Sequence, residues 1–433
     1  MRSFVSSTAL LVALLAGSCG RTTSDAPTPR RSLANAASAF GVSRVGPPEK
    51  LYQLTGDLDR ETTPAVPTPL LTDSRVGLVG TDLGYSFVHG DRLYFYFGDC
   101  LPSTPDARRP KDADAIAYVE LASLSSDPAL SRKPMALQWP LDDDARYHAI
   151  RLDGRTRDVY EVPGAGFSDG KRMWVFYYVD STNDGGYSIL GVSEDEGRTF
   201  QSVFDVPSTM AWVTPHVVAT KDVPGLATEW SEPQTLLMYG RKQENAPVLA
   251  AAPLSRVGDF ASWRFLAETA PAPTWTASLS EASRVYTAGA DYHCRGPFGV
   301  AHVPGMDRWL MLERCVPSLI QLRVAEGPLG PWSAPEILFD KIADRAECTY
   351  MHKGCDPSVT DPKSANRCCD QDFQPIVYGE FGPSVAAFPY GPFPIEPLSS
   401  YDAGTSTATL TFLMSTFNPY SPMVMQVGLR RAP

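Results

Sequence analysis

The chain has 433 residues and a formal net charge of −11 with no cluster of Lys and Arg, which excludes nucleic acid, anionic lipid and polyphosphate as partners and leaves neutral ligands such as glycans. Hydrophobic residues make up 43% of it, enough for a sizeable core, and beyond the N-terminus no apolar run approaches the ~20 residues of a membrane span. It carries no G-x-S-x-G elbow, phosphate-cradling Gly loop, Rossmann fingerprint or H-E-x-x-H, so no cofactor or metal is expected and carboxylate chemistry is what remains.

Met1 and Arg2 precede an apolar run from Ala9 to Leu15 and then Ala16-Gly17-Ser18-Cys19, the layout of a signal peptide over residues 1–19. A Cys directly after small residues looks like a bacterial lipoprotein cleavage box, in which Cys19 becomes the lipidated first residue. An ordinary secretory signal with an incidental Cys is the alternative. Residues 20–48 are rich in Ser, Thr, Pro and Ala and read as a flexible tether. The expected product is an exported monomer: an outer-membrane or cell-surface lipoprotein, otherwise periplasmic or extracellular, that touches a membrane only through its N-terminal anchor.

From residue 49 to 433, strands rich in Val, Tyr, Phe and Trp alternate with Gly, Asp and Pro turns, without a long amphipathic helix. A punctuated strand, a tight turn and an aromatic strand recur five times, beginning near Asp82, Val162, Trp212, Arg295 and Gly379. Further strands lie between, at Ala115 to Leu121, Ser188 to Val192, Val248 to Pro253 and Ile320 to Ala325. Four strands per unit in five units predicts one all-β domain, a five-bladed β-propeller of four-stranded antiparallel blades, with a sandwich as the alternative. The run Ser193 to Phe200 fits the Asp-box pattern S-x-D-x-G-x-T-[WF], a turn between outer strands in which Asp195 is structural. The last strand, Met423 to Leu429, is expected to pair with Leu51 to Thr55 and so remove an exposed sheet edge.

The first unit carries the main candidates. Pairing about the turn His89-Gly90-Asp91-Arg92 puts Asp82 opposite Asp99, on one face at one end of the hairpin. Like charges so placed raise one pKa, the usual way to obtain an acid and a base from two identical side chains. Asp82 and Asp99 are therefore the predicted catalytic pair, Asp82 as base and Asp99 as acid. Inner strands of a propeller ring a central channel whose mouth is a funnel, and funnel geometry supplies Asp114, Trp212, His216, Arg241, Arg295 and Glu380 as sugar-contacting candidates, with packing the first reading of Trp212 and His216. Asp180 to Gly185 resembles half of a calcium loop, but without an acidic residue at the twelfth position it is a hairpin turn.

Cysteine usage fits an oxidising compartment. A hairpin turning at Pro304-Gly305-Met306-Asp307 brings Cys294 near Cys315, and a disulfide is predicted there. Cys348, Cys355, Cys368 and Cys369 crowd into a Cys-rich insertion over 340–375, whose spacings favour disulfides of unassigned pairing over zinc. Cys100 is left as a buried free thiol.

The strings Gly80-Thr81-Asp82-Leu83-Gly84 and Arg92 to Asp99, the turn Gly330-Pro331-Trp332-Ser333 and the closing Met414 to Tyr420 resemble a bacterial family long known only as a domain of unknown function, some members of which are endo-D-arabinanases. The resemblance implies a five-bladed propeller that hydrolyses α-linked D-arabinofuranosyl chains of cell walls, with the two motif aspartates falling on Asp82 and Asp99. It implies inversion at the anomeric carbon, whereas the expected register sets the pair near the ~5–5.5 Å of retaining enzymes rather than the ~6.5–9.5 Å of inverting ones, so the sequence leaves the stereochemistry undecided. The resemblance also adds Asn418 and Tyr420, which follow an inner-blade strand, as sugar-contacting candidates. Two features depart from the family pattern: Cys100 stands where a small hydroxyl residue is usual, and the 340–375 insertion is extra. A non-catalytic carbohydrate-binding or scaffold propeller, and a hydrolase of another furanoside or pyranoside, are the competing readings.

Overall fold

A computed structural model describes residues 41–431 apart from positions 63, 154–159, 181–185, 243–245, 270–271, 287–292, 317, 348 and 352–387. Cys19, Cys348, Cys355, Cys368, Cys369, Gly379 and Glu380 lie outside the described residues.

The strands form five sheets, each a blade of a five-bladed β-propeller, together with one two-stranded ribbon. The sheets are antiparallel apart from the short outermost strand Leu152–Asp153 of one blade, which pairs in parallel with Phe200–Val206. Their innermost strands are Leu78–His89, Tyr160–Ser168, Trp212–Ala219, Cys294–Val303 and Tyr390–Pro394. Each touches the innermost strand of the next blade, and the fifth touches the first, which closes the ring and rules out a sandwich.

Both faces of a blade are covered by its neighbours, so its strands are apolar on both sides. In the blade 1 strand Arg92–Pro102, Leu93, Phe95 and Phe97 pack with Leu413 and Val424 of blade 5, while Tyr94 and Tyr96 pack with Val175 and Phe200 of blade 2. The same arrangement recurs around the ring. Phe176 meets Met238 between blades 2 and 3, Tyr239 meets Met311 between blades 3 and 4, and Leu322 meets Phe412 between blades 4 and 5.

The ring is locked by Val42–Gln53, which pairs antiparallel with the C-terminal strand Tyr420–Arg431 over Val42↔Arg431 to Gln53↔Met423. This closing strand starts at Val42, earlier than Leu51, so part of the stretch read as tether belongs to the sheet. The Asp-box turn forms in blade 2: Asp195 Oδ1 accepts from the Thr199 N–H at 2.9 Å and Asp195 Oδ2 from the Thr199 hydroxyl at 2.7 Å. Cys294 and Cys315 are cross-strand partners joined by a disulfide. An irregularity between Cys294 and Phe298 absorbs the offset that the simple hairpin register leaves.

Candidate active site

The blade 1 hairpin keeps its simple register only near the turn, from His89↔Arg92 to Tyr85↔Tyr96. Gly84 is then an extra residue on the first strand, and between Gly98 and Leu101 the second strand gains one back, so Asp82 lies opposite Gly98. The expected Asp82–Asp99 cross-strand pair is therefore not formed, because bulges re-aim side chains in a way no turn-based count includes. Leu83 (φ 62°) and Asp99 (φ 48°) adopt left-handed backbone, a conformation that costs a non-glycine residue about 1–3 kcal/mol and that clusters at functional positions.

The motif glycines are explained by close approach. A Cβ on Gly98 would stand 2.8 Å from Val162 Cγ1 and 3.1 Å from Asp82 Oδ1. One on Gly80 would collide with the Tyr420 carbonyl oxygen, where blade 5 closes against blade 1.

Asp82 is buried, with 1% of its surface exposed. Its Oδ2 accepts a hydrogen bond from the Tyr390 hydroxyl at 3.0 Å, and the Tyr420 hydroxyl also bonds its carboxyl. Burial pushes its pKa up to about 7; the two phenols oppose the rise and the charge of Asp112 adds to it. Asp82 Oδ1 has no hydrogen-bond partner among the described residues. Asp99 and Asp114 are 3% and 0% exposed, and the Asp99 N–H points at Asp114 Oδ1 at 3.4 Å. Cys100 is a buried free thiol, 3.1 Å from Thr81 Oγ1. Burial holds that thiol well above its ordinary pKa, and Asp114, Asp82 and Asp99 all add to the effect, so three carboxyl groups surround one neutral sulfur. All three carboxyl groups are buried, not set on the open rim that the sequence predicts for the catalytic pair.

Of the other predicted contacts, Asp114 and Tyr420 join this cluster. Asn418 is buried two residues before Tyr420, and its Nδ2 has no partner among the described residues. Trp212 is half-buried and stacks on Tyr178 with ring centroids 3.9 Å apart. Arg295 is half-buried beside the disulfide. Arg241 is fully buried and spent on structure: its Nη1 donates to Glu313 at 2.7 Å, and its Nε and Nη2 donate to the Gly296 carbonyl. His216 is at the other end of the ring, lining a cavity of about 430 Å³ with Phe87, Ser168, Val300 and Glu396. There its ring meets Trp309 edge-on at 4.7 Å, and burial lowers its pKa.

Sequence reasoning missed Tyr390. The run Phe388-Pro389-Tyr390-Gly391-Pro392 is the punctuated, aromatic strand start that marks the other units, and the innermost strand of the fifth blade begins there, at Tyr390, not near Gly379.

No curated protein matches the sequence. Among solved structures the chain is similar to a Bacteroides ovatus protein whose hydrolase assignment is provisional, at 12% identity and TM-score 0.47, over 82% of this chain and 87% of that one. It is similar to a Trypanosoma rangeli sialidase at 12% identity and TM-score 0.34, over 81% of this chain but only 45% of the sialidase. A thermostable family-43 glycoside hydrolase gives 12% identity and TM-score 0.35, over 82% and 95% of the two chains. None of these likenesses bears on the chemistry of the site. The model of a domain of unknown function, DUF4185, matches residues 68–426, a span that takes in the innermost strand of every blade, and the chain belongs to that family.

Proposed function

We propose that the protein is an exported glycoside hydrolase that cleaves arabinofuranosyl linkages of a cell-wall arabinan, with Asp82 as general acid and Asp99 as base. The observation that carries this reading is the Asp82 carboxyl, which burial keeps protonated up to about pH 7 beside two further carboxyl groups. It reverses the roles expected from sequence, because desolvation acts on Asp82. Asp82 gives its proton to the glycosidic oxygen as the bond from that oxygen to the anomeric carbon breaks. Asp99 takes a proton from the water whose oxygen bonds the same carbon, the inverting course. Asp114, beside the Asp99 N–H, keeps that left-handed residue in place. Trp212, Arg295, Asn418 and Glu380 remain the proposed sugar contacts. The disulfide suits an oxidising compartment, and acylation of Cys19 completes the reading as a surface lipoprotein.

One observation favours a second reading, a carbohydrate-binding propeller without turnover: Asp82 and Asp99 are 1% and 3% exposed. A single assay separates the two. Reducing ends are measured on a panel of polysaccharides that includes D-arabinan, for the wild-type protein and for Asp82→Asn and Asp99→Asn, with folding checked by circular dichroism. Release from arabinan that each substitution lowers by at least about 10²-fold is the expected result. Binding without release would overturn the hydrolase, and release from another glycan alone would overturn the arabinan.

A further inference from the structure

Two tyrosines reach Asp82 from blade 5, far along the chain. Tyr390 opens the innermost strand of that blade, and Tyr420 opens the C-terminal strand that closes the ring. Both are buried, at 3% and 5% exposure. Their rings are fixed by Phe417, whose centroid is 5.2 Å from that of Tyr390 and 5.8 Å from that of Tyr420. Phe388 backs the group at 5.7 Å from Tyr390 and 4.9 Å from Phe417, with the Arg314 guanidinium over its outer side at 5.0 Å. Neither phenol can swing away without unpacking this cluster.

We infer that Tyr390 and Tyr420 are positioning residues for Asp82: Tyr390 holds Oδ2 and Tyr420 braces the same carboxyl, so that its proton is carried on and delivered from Oδ1. The inference rests on the reading of Asp82 as proton donor. The Tyr390 hydroxyl donates to Oδ2, which leaves Oδ1 as the oxygen without a partner among the described residues, 3.1 Å from where a Cβ on Gly98 would stand. A neutral donor suits this task. An arginine in the same place would favour the carboxylate and lower its pKa by about 1–3, turning the acid into a base. A phenol fixes orientation while burial still dominates ionisation.

The test is a titration of the full chain carrying ¹³C at aspartate Cγ, with Asp82 assigned by the signal that Asp82→Asn removes. Tyr390→Phe and Tyr420→Phe keep the ring packing and remove only the hydroxyl. Each is expected to move the Asp82 midpoint upward by about 0.5–1. The alkaline limb of the hydrolysis profile should move the same way. Midpoints unchanged from wild type in both variants would overturn the inference even if Asp82→Asn abolishes hydrolysis. Midpoints that move while the wild-type protein releases no sugar from any glycan would leave the clamp standing and remove the hydrolase reading instead. Should one variant fail to fold, the other decides.

Discussion

Asp82 faces Gly98 across the first hairpin, and its Oδ1 lies 3.1 Å from where a methyl group on that glycine would be. The glycine is thus part of the acid's surroundings, and the same missing side chain lets Val162 of blade 2 approach. Loss of this space should act on stability and chemistry together.

Gly98→Ala is expected to destabilise the fold by about 1–3 kcal/mol, the usual cost of overpacking, because Val162 belongs to the innermost strand of a packed blade and can yield little. Urea unfolding at pH 5 measures it. An alanine variant as stable as wild type would show that the contact between blades 1 and 2 is loose.

The raised pKa of Asp82 also predicts a pH dependence of stability. A carboxyl whose pKa is about 7 when folded and near 3.8 when unfolded stabilises the fold fully below about pH 4, and that contribution is lost as pH rises through 7. The difference is at most on the order of 4 kcal/mol. Asp82→Asn should flatten this fall, leaving the variant more stable than wild type at pH 8 by about 2 kcal/mol. Urea midpoints from pH 4 to 8 decide it: equal slopes in the two proteins would mean that Asp82 titrates as an ordinary carboxyl.

Between blades 3 and 4, Glu313 Oε1 accepts from Arg241 Nη1 at 2.7 Å and from the Tyr286 hydroxyl at 2.5 Å, while Oε2 accepts from Arg323 Nε at 3.0 Å. Glu313 is fully buried. Glu313→Gln leaves two guanidinium groups uncompensated away from water, and a loss of about 3–5 kcal/mol is expected. Thermal unfolding with unchanged hydrolysis per folded molecule would confirm a structural role, whereas a stable variant with altered substrate affinity would restore Arg241 to the sugar site.

Much of the fold was legible because the signals that specify a blade are local. The aromatic strand from Leu93 to Phe97, the Asp-box turn and the hairpin that joins Cys294 to Cys315 each depend on residues within about one strand length of a turn. At the site the same local counting failed by one residue. Gly84 bulges the first strand and the backbone turns left-handed at Leu83 and Asp99, and neither event alters the hydrophobic alternation that register is read from.

By itself, then, the sequence determined five aromatic hairpin units, the closure of the last blade by an N-terminal strand, one disulfide and a concentration of aspartates in the first unit, because period, turn chemistry and cysteine placement act over short stretches of chain. Only the tertiary structure decided that Asp82 is the desolvated carboxyl, that Tyr390 of blade 5 holds it, that Arg241 is consumed by Glu313, and that His216 serves the far end of the ring. Those outcomes depend on which side chains meet after the ring closes, and burial and pairing between residues so far apart leave no periodic trace along the chain.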